Sequence, residues 1–165
     1  TGKYNASNLA AAISIGKYFD VPLDKAQEAI ANYHPTNNRS QVQETERNTL
    51  VVDAYNANPS SMEAALRNFA EFPGNPKWVI LGDMFELGEY EAEEHNRIAK
   101  LLTELNLNEA ILIGKAFMTT TAGNPTKFET TEALLDYLKQ VKPEGCTILI
   151  KGSRGMRLER TLEYL

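Results

Sequence analysis

Short continuous apolar runs alternate along this chain with stretches whose apolar residues recur at helical spacing. Leu50-Val51-Val52, Trp78-Val79-Ile80-Leu81, Ala110-Ile111-Leu112-Ile113 and Thr147-Ile148-Leu149-Ile150 have the length and make-up of strands buried on both faces. Gln41 to Glu46 reads as an edge strand, and the residues around Lys127 and Phe128 as a short further one. Helices are expected over about 60 to 72, through Met62, Ala65, Leu66 and Phe69, and from Glu89 to Leu105, through Ile98, Leu101 and Leu102. Another is expected from Thr131 to Val141, through Leu134, Leu135 and Leu138, and a terminal one from Met156 to Leu165. Ser60 with Glu63 has the form of a capping box for the first of these, and Pro73-Gly74-Asn75-Pro76 is a clear breaker after it. Strands alternating with helices predict an α/β fold: a Rossmann-like, mostly parallel sheet with helices on both faces.

Ahead of this pattern lies a short helical pair. Leu9, Ala12, Ile13, Gly16 and Phe19 share one helical face, and Leu23, Ala26, Ile30 and Tyr33 another, with Pro22 at the start of the second helix and Pro35 beyond its end. The polar stretch Thr36 to Ser40 is the expected boundary, dividing a helical tail (1–38) from the main domain (39–165). The chain enters its first helix almost at once after Thr1-Gly2-Lys3, without a first strand, as a piece of something longer would.

The net charge of −5 and pI near 5.1 argue against a nucleic-acid backbone or an anionic membrane as partner, since both call for a basic face. With no long apolar run or signal peptide, nothing sends the chain to or through a membrane, and a single cysteine, Cys146, that cannot form an internal disulfide fits a reducing compartment. At 165 residues the chain suffices for one domain with a proper core and a short appendage.

Chemistry is expected where strands end. Asp53 to Asn58, Gly82 to Gly88 and Lys151 to Gly155 are polar or glycine-containing loops after apolar strands, and in a parallel sheet all three open on one edge and line one cleft. Asp53 suits a hydroxyl or a cation, and equally a turn cap. Asp83 and Glu86 suit a metal, although paired acids in a loop are more often solvated. Lys151 and Arg154 bracket Ser153 as an anion site would, with Gly152 and Gly155 permitting close approach; the alternative is a salt bridge to Glu159 or Glu163. No G-x-x-x-x-G-K-[ST] or G-x-G-x-x-G run is present. His34 and His95 lack metal-ligand spacing and read as loop or surface histidines, and Cys146 as a structural thiol. The residues alone define a cleft for an anionic small molecule, without a complete catalytic constellation.

Several of these stretches resemble the Mur ligase family. Tyr4-Asn5-Ala6-Ser7-Asn8-Leu9-Ala10-Ala11-Ala12 is similar to its H-N-x-x-N-x-x-A-A stretch, with Tyr4 in place of histidine, and Arg39 falls where members carry an arginine before their last domain. Asp53-Ala54-Tyr55-Asn56-Ala57-Asn58-Pro59, Leu81-Gly82-Asp83-Met84-Phe85-Glu86-Leu87-Gly88 and Lys151-Gly152-Ser153-Arg154-Gly155-Met156 resemble the branch that joins D-alanyl-D-alanine to a UDP-muramoyl tripeptide in peptidoglycan synthesis. The resemblance implies a cytoplasmic three-domain ligase using ATP and Mg²⁺, in which the tripeptide carboxylate takes the γ-phosphate and the dipeptide amine displaces it. It makes residues 1–38 the tail of the ATP-binding central domain and 39–165 the C-terminal domain. The phosphate loop and metal ligands would then lie outside this chain, which is expected to be inactive alone. By position, Asn8, Arg39, Asp53, Tyr55 and Asn56 would meet ATP, while Asn58, Lys151, Ser153 and Arg154 would meet the dipeptide. The alternatives are a free-standing Rossmann-like binding module and a sibling amide ligase such as folylpolyglutamate synthase.

Overall fold

The structure, a computed structural model, describes residues 6–33 and 40–165. It divides into two compact units, 1–35 and 36–165. The first holds helices α1 (Ala6–Tyr18) and α2 (Leu23–Ala31). No residue of either is fully buried; Leu9, Ile13, Gly16, Ala26 and Ile30 are half-buried, and Tyr18 and Phe19 stand exposed. Pro22, in extended backbone, caps α2 rather than opening it. The expected boundary near residue 38 lies outside the described residues.

The second unit is built on a six-stranded sheet: β1 (Gln41–Glu44), β2 (Thr49–Asp53), β3 (Lys77–Gly82), β4 (Glu109–Ile113), β5 (Thr126–Phe128) and β6 (Thr147–Lys151), in the order β1-β2-β6-β3-β4-β5. β1 runs antiparallel to β2, and every other neighbouring pair is parallel. The last strand in sequence therefore sits between β2 and β3, so the loops that follow Asp53, Gly82 and Lys151 emerge side by side.

Alternation along each strand sends side chains to two cores. Val79, Leu81, Leu112 and Leu149 pack against Met62, Leu66 and Phe69 of α3 (Pro59–Glu71) and Ile98, Leu101 and Leu102 of α4 (Glu91–Glu104). On the other face Leu50, Val52, Ile80, Ile111, Ile148 and Ile150 pack against Leu134 and Leu138 of α6 (Thr131–Val141) and against Leu158 and Leu165. Truncating any of the fully buried isoleucines or leucines would cost about 2–5 kcal/mol, which makes the sheet a stiff platform for its loops.

The chain closes differently from the expected terminal α-helix. Residues 154–156 and 158–164 form 3₁₀ turns, separated by Arg157 in left-handed backbone (φ 52°). A left-handed residue cannot continue a right-handed helix, so the pattern through Leu158 and Leu162 is read in short turns instead. A further one-turn helix, α5 (Lys115–Met118), follows β4 where the sequence shows no distinct pattern.

Candidate functional site

The loop after β2 is anchored from beneath. Asp53 Oδ1 accepts the Ser40 N–H (3.1 Å) and Oδ2 the Lys151 ammonium (2.5 Å), which also donates to the Asn56 carbonyl (3.1 Å). Lys151, a cation expected to meet the substrate, is 1% exposed, and in this structure its ammonium holds Asp53 and the Asn56 turn. The geometry follows from register: Asp53 and Lys151 are opposite partners on adjacent parallel strands. Asn56 turns its Oδ1 onto the Ala57 N–H (2.9 Å) and stands exposed at the rim.

The loop ends at a capping box placed two residues earlier than expected. Asn58 accepts the Ser61 N–H (2.8 Å), and the Ser61 hydroxyl accepts the Asn58 N–H (3.1 Å). Pro59, lacking an N–H and with φ preset, suits the first helical position and so fixes the start. Asn58 thus has its side-chain oxygen engaged in the cap. Glu63, released from the expected box, pairs with Arg67 (2.9 Å) and Arg97 (2.6 Å).

The loop after β3 is held by polar groups inside the protein. Asp83, a candidate metal ligand in sequence, is buried and accepts the N–H groups of Ala116 (3.0 Å) and Phe117 (3.0 Å), capping the one-turn helix α5. Gly114 permits this approach: it sits at φ +123°, and a Cβ there would fall 2.2 Å from the Asp83 carboxylate. Glu86 points to solvent, and among the described residues no group of three His, Cys, Asp or Glu is placed to hold a metal. His95, expected at the surface, is completely buried on α4, where its Nε2 accepts the Met84 N–H (3.0 Å). Its position three and seven residues before Ile98 and Leu102 is the helical spacing that would have revealed it.

The loop after β6 crosses the other two. The Ser153 N–H donates to the Asp83 carbonyl (3.1 Å), and its hydroxyl accepts the Phe85 N–H (2.9 Å). Arg154, exposed, lays its guanidinium 5.5 Å from the centre of the Tyr55 ring, itself 41% exposed. Neither Lys151 nor Arg154 is paired with Glu159 or Glu163; the ion pair in that region joins Arg160 and Glu132 (2.5 Å). Tyr55, Asn56, Ser153 and Arg154 therefore converge on one rim, with Asp53 and Lys151 directly beneath it. Asn8 lies exposed in the first turn of α1, in the other unit, and Arg39 and Tyr4 lie outside the described residues, as does His34. Cys146 is buried at the opposite, amino-terminal edge of the sheet, where burial pushes its thiol above the usual range.

A mostly parallel sheet covered by helices, with an exposed guanidinium, an aromatic face and a buried, hydrogen-bonded hydroxyl at its central strand ends, is an α/β domain of Rossmann-like architecture, a fold in which ligands sit at the carboxyl ends of strands. Residues 38–154 match the family model described as Mur ligase, glutamate ligase domain, and the chain belongs to the Mur ligase family. It is 31% identical over 174 residues to the UDP-N-acetylmuramoyl-tripeptide–D-alanyl-D-alanine ligase of Bacillus subtilis, covering 99% of this chain and 38% of that protein. Among solved structures it resembles MurF from Acinetobacter baumannii (TM-score 0.81, 26% identity, covering 99% of this chain and 37% of that one). It shares its fold with MurF from Thermotoga maritima in complex with ADP (TM-score 0.83, 24% identity, 99% and 38% covered). The chain thus spans well under half the length of the relatives it matches.

Proposed function

We propose that this chain is the C-terminal part of an ATP-dependent amide ligase that joins D-alanyl-D-alanine to UDP-N-acetylmuramoyl-tripeptide, the part that closes over nucleotide and dipeptide. The observation that carries the reading is the convergence of three strand-end loops on one rim, with Lys151 joining Asp53 to the Asn56 turn and Arg154 lying over Tyr55. The named activity of the Bacillus subtilis relative and the ADP of the Thermotoga maritima complex point the same way.

The rim suits such ligands chemically. The exposed Arg154 guanidinium offers a planar fork to a carboxylate or phosphate, and the exposed Tyr55 ring a face for a base or a methyl group. Ser153 has one lone pair taken by the Phe85 N–H, which leaves its O–H to donate to a bound carboxylate. In this reading Tyr55, Asn56, Ser153 and Arg154 touch ligand, whereas Asp53 and Lys151 act beneath them by fixing the Asn56 turn. Asn58 combines helix capping with a place at the edge of the dipeptide site. Asn8 and Arg39 would meet the nucleotide too, a role that rests on the family resemblance alone. ATP supplies the leaving group that makes the tripeptide carboxylate reactive; Mg²⁺ would be held by residues of the central domain. What this chain contributes is positioning of the incoming amine and exclusion of water.

The test is steady-state ligation by the full-length enzyme that carries this chain, with Arg154→Ala and Asn56→Ala. Loss of a charge-assisted contact is worth about 1.5–3 kcal/mol, so Arg154→Ala is expected to lower kcat/KM for the dipeptide about ten- to a hundredfold. Parental kinetics in both variants would remove the cleft from the reaction.

A further inference from the structure

We propose that His95 is a positioning residue of this cleft: its Nε2 holds the Met84 amide, and through it sets where the Phe85 amide meets the Ser153 hydroxyl. Its bearing on ligation rests on the function proposed above. The hydrogen bonds themselves do not, and they are what is tested.

The imidazole has no freedom in its protonation pattern. Nδ1 lies 2.7 Å from the Glu91 carbonyl, which only accepts, so Nδ1 carries the proton. Nε2 lies 3.0 Å from the Met84 amide, which only donates, so Nε2 is bare. The ring is fully buried and meets the Phe117 ring of α5 edge-on, with centroids 4.6 Å apart. The charged group facing it is Asp83, whose Oδ1 is 3.5 Å from Nε2 and is already engaged with the Phe117 N–H.

This acceptor reaches the rim in two residues. Asp83 gives its carbonyl to the Ser153 N–H, Met84 gives its N–H to His95, and Phe85 gives its N–H to the Ser153 hydroxyl. Three consecutive residues are thus pinned from alternate sides, by Ser153, by α4 and by Ser153 again. A histidine serving only to fill the core would need no acceptor at Nε2, and a leucine would do as well. Here the acceptor satisfies a buried N–H that would otherwise be orphaned, and it lies next in sequence to the contact that orients Ser153.

Substitutions separate the two nitrogens. His95→Gln places an amide oxygen within reach of Met84 and keeps the Nε2 role. His95→Asn retains an N–H for the Glu91 carbonyl and is too short to reach Met84. Amide hydrogen exchange of the ¹⁵N-labelled chain is expected to show protection at Met84 and Phe85 in the parent, preserved in His95→Gln. In His95→Asn it is expected to fall at least about tenfold at both amides while that of Leu112 in β4 holds. The proposal is overturned if Phe85 protection survives in His95→Asn, if it falls equally in both variants, or if Leu112 falls with it. Should His95→Asn not fold, a long-range ¹H–¹⁵N spectrum of the parent imidazole decides. A protonated Nδ1 with a bare Nε2 supports the assignment, and the opposite tautomer overturns it.

Discussion

The Asp53–Lys151 pair should respond very unequally to loss of its two members. The Lys151 side chain is 2% exposed and that of Asp53 18%, so the carboxylate retains access to water and the ammonium does not. Asp53→Ala leaves the ammonium with the Asn56 carbonyl as its remaining hydrogen-bond partner, an uncompensated buried charge costing about 3–5 kcal/mol. The ceiling is the cost of shedding a proton from an ordinary lysine at pH 7, about 4–5 kcal/mol. Lys151→Met instead fills the same space with an apolar chain and leaves a carboxylate that still accepts the Ser40 N–H and reaches solvent, for about 1–2 kcal/mol. The double variant removes the orphan, so it is expected to be more stable than Asp53→Ala alone. Urea unfolding at pH 7, followed by circular dichroism with unchanged m-values, measures all three. Equal costs for the two single changes, or a double variant less stable than Asp53→Ala, would refute the assignment of the buried charge to Lys151.

Gly114→Ala is expected to destabilise by more than about 2 kcal/mol in thermal melts, since its φ of +123° disfavours a side chain and the added Cβ would meet the Asp83 carboxylate at 2.2 Å. Hydrogen bonds from Arg97 first and Arg67 second hold the Glu63 carboxyl below the ordinary carboxylate value of 4.5, so its contribution is complete above the unfolded-state value and lost as pH falls through the depressed folded one. Glu63→Gln should therefore flatten the acid limb of the stability profile in that window, by an amount that shrinks with added salt; an unchanged limb at low salt would contradict the sign.

The sheet was legible because each central strand is a short apolar run with no polar residue to spoil it. Its strand order was not, since the insertion of β6 between β2 and β3 depends on which helix covers which face, information spread over the whole chain. The rim loops were legible as a group for the same reason as the strands: polar and glycine residues appear where Val52, Leu81 and Ile150 stop. Individual roles were harder. Lys151 and Arg154 look alike in sequence, yet Lys151 is the last residue of β6 and points into the protein opposite Asp53, whereas Arg154 has left the sheet. Asp83 resembles a metal ligand until its partner is known, and that partner is a pair of backbone amides 33 and 34 residues away. The capping box was misplaced because Ser60 and Glu63 satisfy the pattern while Pro59, one residue earlier, fixes where the helix begins.

These long-range polar contacts bear on how the rim can work. Two of the loops are tied by side chains belonging to other elements: the Asn56 turn by Lys151 of β6, and the loop after β3 by His95 of α4 at the Met84 amide and by Ser153 at the Phe85 amide. Ordering a residue's backbone costs about 1–2 kcal/mol, so a rim of free loops would surrender much of any ligand's contact energy on binding. Here that ordering is completed by folding, within a protein interior where an unsatisfied donor is penalised and the alternatives are few. The side chains left at the surface, Tyr55, Asn56, Phe85 and Arg154, are then presented on fixed backbone rather than on loops that must order as a ligand arrives. Loops held from within are also the reason that a change at a fully buried residue, His95→Asn, is expected to be felt at the exposed rim.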